Sequence, residues 1–295
     1  MAESGARGVD TAVRPVPSWQ LAEGSLDLSR PLGVGIVNVT DDSFFEGARS
    51  ETPECAVEDG KRLVAEGFDL LDVGAVAARS GPPVPEQDEA ERLVPAIEGL
   101  VREASVPITV DTFMPTVAEL ALDAGAAAIN DISGSLDPAM LELVGDRGCG
   151  LVVMHIEGPP RVDRPAPDYE DPVDRMKAWF TERIEDAHRY GVAEAQLALD
   201  PGFDFDLTVD DDLAVMRRLP ELAELGLPLF VAASRKDFIG ALLAGSWEDR
   251  LPPSDREWGT AAIVALAVAG GANLLRLHDR SALDAMRVAD RIANG

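Results

Sequence analysis

A (β/α)8 barrel with an N-terminal β-hairpin is the fold predicted for this 295-residue chain, and three observations predict it. Eight short apolar runs alternate with amphipathic stretches of helical length, the pattern of consecutive βα units on a parallel sheet. No break in composition divides those units into two domains. No glycine-rich turn follows the first strand, as a doubly wound dinucleotide-binding sheet would usually show. Eight parallel strands joined by right-handed crossovers close into a ring without exposed edges.

Residues 1–18 are polar, proline-marked and aperiodic, which predicts a loose tail. A short hairpin is expected over residues 19–28, turning at Glu23-Gly24, and a single barrel domain over 19–295. The eight strands fall near 33–38, 69–74, 106–111, 127–131, 150–155, 196–200, 228–234 and 272–277. Helical patterns fill the gaps, among them Glu86–Ala104, Pro172–Tyr190, Asp210–Leu225 and Ser281–Ala293. Pro115, Pro138 and Pro172 suit a first helical turn, where the missing N–H costs nothing.

Composition narrows the function. Asp and Glu number 53 against 26 basic residues, a net charge of −27. Nucleic acid and anionic membranes would repel such a chain. Its self-repulsion would be relieved by dissolved salt, so a salt-rich cytoplasm is expected, an acid-leaning mesophile being the alternative. No apolar run approaches the ~20 residues that span a bilayer. Met1 to Arg14 lacks the basic start and apolar stretch of a secretory signal, which again points to the cytoplasm. Cys55 and Cys149 fit no metal-ligand spacing and read as reduced thiols.

In a barrel the C-terminal strand ends converge on one rim, where active sites sit. Here nearly every strand delivers a polar group to it: Asn38, Asp72, Asp111, Asn130 with Asp131, His155, Asp200, Ser234 to Lys236, and Arg276 with His278 and Asp279. Asp111, Asn130 and Asp200 offer acceptors and a planar amide, matching the donor and acceptor edge of a heteroaromatic ring. Each could instead merely close the barrel top. Lys236, Arg276, His278 and Arg79 are cations in a chain with few to spare, and as a group they suit a phosphate or diphosphate. Singly, each could be no more than the partner of a nearby carboxylate.

Several motifs then fall into register. The stretch Gly35-Ile-Val-Asn-Val-Thr-Asp-Asp-Ser-Phe44 resembles the first-strand signature of the dihydropteroate synthase family. Val110-Asp111-Thr112, Asn130-Asp131-Ile132-Ser133-Gly134, Met154-His155, Leu199-Asp200-Pro201-Gly202, Ser234-Arg235-Lys236 and Arg276-Leu277-His278-Asp279 continue the resemblance, which covers roughly residues 20 to 293. It implies a pterin-binding (β/α)8 barrel, usually dimeric, that joins 6-hydroxymethyl-7,8-dihydropterin diphosphate to p-aminobenzoate and releases diphosphate in folate biosynthesis. It also implies that Asp111, Asn130, Asp200 and Lys236 hold the pterin, with Met154 and Phe205 among the substrate-binding residues. Asn38, Arg79, Arg276 and His278 would handle the diphosphate, Asn38 helping to place Mg2+. Ser234, Phe44 and Lys236 would lie near the aminobenzoate, and Asp42 would join Lys236, Arg79, Arg276 and His278 in the catalytic set. The partners implied are these small molecules and a second copy of the chain.

The departures from the family pattern cluster. After the second strand the family carries Gly-Glu-Ser-Thr-Arg-Pro-Gly, whereas this chain reads Ala75-Val76-Ala77-Ala78-Arg79-Ser80-Gly81. Asp41, Phe45 and Glu46 replace a proline, a serine and an aspartate in the first loop. Asp204 and Asp206 stand where glycines are common, and Ala232 replaces a glycine beside the expected pterin slot. These changes leave open a paralogue that binds a pterin diphosphate but uses another amine, and a non-catalytic pterin-binding barrel. A corrinoid-dependent pterin methyltransferase would not need the cations around Arg276 and His278.

Overall fold

The computed structural model describes residues 18–39, 52–77, 81, 83–162 and 164–294. The expected loose tail therefore lies almost wholly outside the described residues. The hairpin forms as expected: β1 (Ser18–Gln20) pairs antiparallel with β2 (Ser25–Asp27), Trp19 opposite Leu26.

Eight parallel strands follow: β3 (Leu32–Asn38), β4 (Leu70–Gly74), β5 (Ile108–Asp111), β6 (Ala128–Asp131), β7 (Gly150–Met154), β8 (Leu197–Asp200), β9 (Phe230–Val231) and β10 (Leu274–Leu277). Their order is β8-β7-β6-β5-β4-β3-β10-β9. A parallel bridge between Leu199 and Leu229 joins β8 to β9 and closes the ring. Where the sequence predicts seven residues for the seventh strand, only two carry the regular ladder.

The intervening helices are α1 (Pro53–Glu66), α2 (Glu86–Glu103), α3 (Pro115–Asp123), α4 (Pro138–Arg147), α5 (Pro172–Arg189), α6 (Val209–Arg217), α7 (Leu219–Ala223), α8 (Asp237–Ala244), α9 (Glu257–Ala269) and α10 (Arg280–Ala293). Prolines 53, 115, 138 and 172 each open a helix, where their fixed φ is already helical. The single helix expected over Asp210–Leu225 is instead two, because Pro220 supplies no N–H to continue the ladder past Arg218.

Two apolar assemblies hold the barrel together. Between strands and helices lies the large core, with Leu71, Val73, Ile97, Val110, Ile129, Leu151, Phe180 and Leu199 fully or almost fully buried. Inside the ring, Val34, Leu70, Ala128, Val152, Ala198, Phe230 and Leu274 form a floor with Trp19, Leu21 and Leu28 of the hairpin. Trp19 is fully buried and its indole N–H donates to the carbonyl of Gln196 at 2.8 Å. The hairpin thus plugs the N-terminal mouth of the barrel and leaves the C-terminal mouth for chemistry.

Candidate active site

Strand geometry builds the site directly on that floor. Side chains on one face of a strand recur every second residue, so the residue two places beyond each floor residue also faces the lumen, one layer higher. Leu70 is thus followed by Asp72, Ala128 by Asn130, Val152 by Met154, Ala198 by Asp200, Phe230 by Ala232 and Leu274 by Arg276. The apolar floor thus carries a second storey that is polar on β4, β6, β8 and β10.

That storey is a continuous network. Asp72 is fully buried and sits at its centre. Its Oδ1 accepts from Thr109 Oγ1 at 2.5 Å, and its Oδ2 accepts from Asn130 Nδ2 at 3.1 Å and from Arg276 Nε at 2.5 Å. Arg276 reaches further, donating through Nη2 to Asp111 Oδ2 at 2.9 Å. A planar guanidinium bridging two carboxylates in a dry interior is a rigid, charge-assisted unit. Gly74, paired with Asp111 in the sheet, makes room for it: a Cβ there would come within 3.3 Å of that of Asp111.

Above the network, Asp111, Asn130, Met154, Asp200, Phe205, Ala232, Lys236 and Arg276 line one cavity of about 40 Å3. It opens past Phe205 and Lys236 towards a far larger outer cavity of about 840 Å3. The inner space is a slot and the outer one a vestibule. Asn130 Oδ1 is buried in the slot with no hydrogen-bond partner among the described residues. Lys236 Nζ lies 4.4 Å from the centroid of the Phe205 ring, a cation–π contact at the slot mouth. Arg161, Arg164, Arg235, Arg250 and Arg256 line the vestibule with Lys236, against Asp204, Asp206, Asp237 and Glu248. The chain is strongly acidic, yet cations outnumber acids here.

Burial sets the protonation of the slot. It raises the Asp200 carboxyl to about 6, against the opposing pull of the Gly202 N–H, which donates to Asp200 Oδ1 at 2.9 Å. Gly202 has φ +69, and a Cβ there would sit 2.2 Å from the His155 carbonyl, so only glycine brings that N–H into place. Asp111 is raised to about 7, first by burial and then by the neighbouring Asp72, with Arg276 working in the other direction. His278 is lowered to about 3 by burial and by the Arg276 and Arg235 charges, which makes it neutral at physiological pH. Its Nδ1 lies 2.9 Å from Ser234 Oγ. At this site His278 acts as a hydrogen-bonding group, and the cationic role given to it in the sequence reading does not hold for this protonation state.

The structure therefore brings together Asp111, Asn130, Met154, Asp200, Phe205, Lys236 and Arg276, with Ser234 and His278 bonded to each other beside them. Asn38 ends β3 at the same rim. Asp42, Phe44 and Arg79 lie outside the described residues. His155 turns away from the slot and packs edge-on against Trp179 and Phe180 of α5. Asp72 carried no individual role in the sequence reading, yet it is the hub. The signal was present: an aspartate inside Leu-Leu-Asp-Val-Gly, two residues after a floor leucine.

A closed parallel barrel with acceptors lining a narrow slot and cations at its mouth defines a class of protein that grips a flat heterocycle bearing an anionic group. The chain matches the family model described as "Pterin binding enzyme" over residues 34–278. It belongs to that family. It is 38% identical over 262 residues, covering 88% of this chain and 89% of the relative, to the dihydropteroate synthase of Synechocystis. The dihydropteroate synthase of Xanthomonas albilineans, solved with 4-aminobenzoic acid, superposes with a TM-score of 0.85 at 40% identity, covering 95% of this chain and 99% of that one. The same enzyme in complex with 7,8-dihydropteroate gives a TM-score of 0.83 at 39% identity, covering 95% and 100%.

Proposed function

We propose that this chain is a dihydropteroate synthase: a transferase that condenses 6-hydroxymethyl-7,8-dihydropterin diphosphate with p-aminobenzoate and releases diphosphate. One observation carries the reading. Asp111, Asn130 and Asp200, from three different strand ends, line a single slot with Lys236, which opens α8, and their carboxyl and amide oxygens are acceptors that suit the amino and ring N–H groups of a pterin. The unpartnered Asn130 Oδ1 and the Asp200 carboxyl are the acceptors that a bound ring would satisfy.

The chemistry asks for positioning and charge more than for acid–base work. The C–O bond to the diphosphate breaks with its electron pair leaving on the diphosphate. The aminobenzoate nitrogen forms the new C–N bond and sheds a proton. Lys236 and the vestibule arginines lower the cost of the departing charge, a preorganised electrostatic contribution. Asp72 and Asp111 fix the Arg276 guanidinium against the slot, so the ring meets a surface that does not reorganise during reaction.

Mg2+ fits this donor set as an ion that arrives with the diphosphate. Among the described residues no group of three His, Cys, Asp or Glu could hold a metal by itself, whereas Mg2+ characteristically takes one or two protein oxygens plus substrate phosphates. The Asn38 amide oxygen at the rim would be such a ligand, and the ion when bound would neutralise charge on the leaving group.

The pairing of α9 with α10 leaves Trp258 82% and Ile292 81% exposed, with Leu266 and Val288 also exposed. Apolar exposure on this scale supports a homodimer with that face buried. No helix among the described residues is long and apolar enough to cross a membrane, and with the acidic composition this supports a cytoplasmic enzyme.

Diphosphate release, followed with pterin diphosphate, Mg2+ and molar KCl, tests the function. The expected result is turnover that requires p-aminobenzoate. Binding of the pterin without aminobenzoate-dependent release would favour a relative using a different amine. The run Ala75 to Gly81, which lacks the family's threonine and glutamate, gives that second reading its support.

A further inference from the structure

Helix α8 begins immediately after Lys236, and its N-terminus poses a problem that local sequence does not solve. The first N–H groups of a helix need acceptors from outside it. Lys236 is the N-cap residue, and an ammonium has no acceptor to offer. The acceptor comes from across the mouth of the barrel. Asp204, in the loop after β8, takes the Asp237 N–H on Oδ2 at 2.5 Å and the Phe238 N–H on Oδ1 at 2.9 Å. A carboxylate at this position also complements the positive end of the helix dipole.

Asp204 is itself held on two sides. Its backbone N–H donates to Asp212 Oδ1 at 3.1 Å, and both aspartates are almost fully buried. Next in the chain comes Phe205, whose ring lies under Lys236 Nζ. The contacts form a closed circuit: Asp212 to Asp204, Asp204 to the first turn of α8, Lys236 to Phe205, and Phe205 back to Asp204 through one peptide bond. Asp204 adopts φ +68, a conformation that favours glycine, so an aspartate there is kept at a conformational cost. Burial and the nearby Asp204 charge push the Asp212 carboxyl well above its ordinary range, which limits the charge stored behind the slot.

We propose that Asp204 is a positioning residue for the pterin site, clamping the Lys236 ammonium and the Phe205 ring into one rigid mouth through its double hydrogen bond to α8. The inference rests on the pterin-binding reading of the slot and deepens it. Neighbouring Asp206 also has positive φ but does a different job, accepting from the Glu157 N–H at 2.9 Å and from Arg164 Nη2 at 2.6 Å. Because Asp206 holds a vestibule arginine, the control is taken at the opposite mouth, where Asp69 likewise accepts a backbone N–H, from Gly33 at 2.9 Å, and an arginine, from Arg30 Nη2 at 2.6 Å.

The test measures the Kd of 6-hydroxymethyl-dihydropterin diphosphate by titration calorimetry, beside melting temperature, for the unaltered full chain, Asp204→Gly, Asp204→Asn and Asp69→Ala. Glycine removes the clamp while accepting φ +68 without strain. Asparagine tolerates that φ and keeps one acceptor. The expected order of Kd is unaltered chain, then Asp204→Asn, then Asp204→Gly, the last raised about tenfold, with Asp69→Ala within about twofold of the unaltered chain. An unchanged Kd in folded Asp204→Gly overturns the proposal, whatever its melting temperature. So does a rise as large in Asp69→Ala, or an Asp204→Asn no better than Asp204→Gly. Should Asp204→Gly not fold, Asp204→Asn alone decides: a raised Kd supports the clamp and an unchanged one overturns it. Absence of binding by the unaltered chain would overturn the functional reading as well.

Discussion

The two mouths of this barrel are built from the same eight strands and have opposite characters. At the N-terminal mouth the lumen is filled with hydrocarbon, sealed by Trp19, and Gln196 ties its side-chain amide to the carbonyls of Val144 and Cys149 at 3.1 and 2.8 Å. Two residues further along each strand, the same lumen holds Asp72, Asp111, Asp200 and Arg276, whose burial is costly unless every charge finds a partner. Stability is concentrated below and function above, separated by one turn of strand periodicity. Substitutions at the two levels should therefore fail in different ways.

The largest effect is expected at the hub. Replacing Asp72 with alanine leaves Arg276 with one carboxylate partner, strips the Asn130 amide of its acceptor and leaves Thr109 only the Leu71 carbonyl; breaking a buried ion pair costs about 3–5 kcal/mol. Both melting temperature and kcat/KM should collapse, the latter by about a hundredfold or more, since each 1.36 kcal/mol of lost transition-state stabilisation is about tenfold. Normal turnover in a folded Asp72→Ala enzyme would show that the second storey is not the active surface. The comparison is sharpened by Trp19→Ala. A buried tryptophan reduced to alanine costs about 3–5 kcal/mol, so melting temperature should fall by a similar amount, while kcat/KM measured well below melting stays within about twofold. A large loss of kcat/KM at such temperatures would mean that the hairpin reaches the chemistry.

Much of this division is legible in the sequence. Eight strands, the hairpin and the rim of polar strand ends follow from periodicity, because a floor residue and its polar successor are fixed by a spacing of two. The collection of Asp111, Asn130, Asp200 and Lys236 at one slot follows from where parallel strands end. What the sequence hid depends on contacts between distant elements. Asp72 reads as one polar residue among many until its pairing with Thr109, Asn130 and Arg276 is seen. Arg276 was expected to face the diphosphate, and its commitment to Asp72 and Asp111 depends on strand order in space. Asp204 and Asp206 looked like added bulk in a glycine-rich loop, whereas one caps α8 and the other anchors Arg164. His278 counted as a cation by residue type, but burial beside Arg276 and Arg235 makes it neutral. The split between α6 and α7 was visible in Pro220 and was overridden by the surrounding amphipathic pattern.

The central claim, that Asp200 receives the pterin as a carboxylate in a dry slot, has a pH signature with a definite sign. Burial raises Asp200 to about 6, so below that pH the carboxyl is protonated and cannot accept from two ring N–H donors. The ligand favours the ionised form, and affinity should rise with pH. Titration of the pterin diphosphate between pH 5 and 8 at fixed molar KCl measures this directly. The account predicts a Kd that falls as pH rises through 6 and flattens only above about 7, where Asp111 has also ionised, by up to about tenfold per pH unit for each carboxylate, with Asp200→Asn binding more weakly and losing the part of that slope centred on 6. A Kd independent of pH across 6 in the unaltered chain, or an Asp200→Asn variant that binds as tightly, would contradict it.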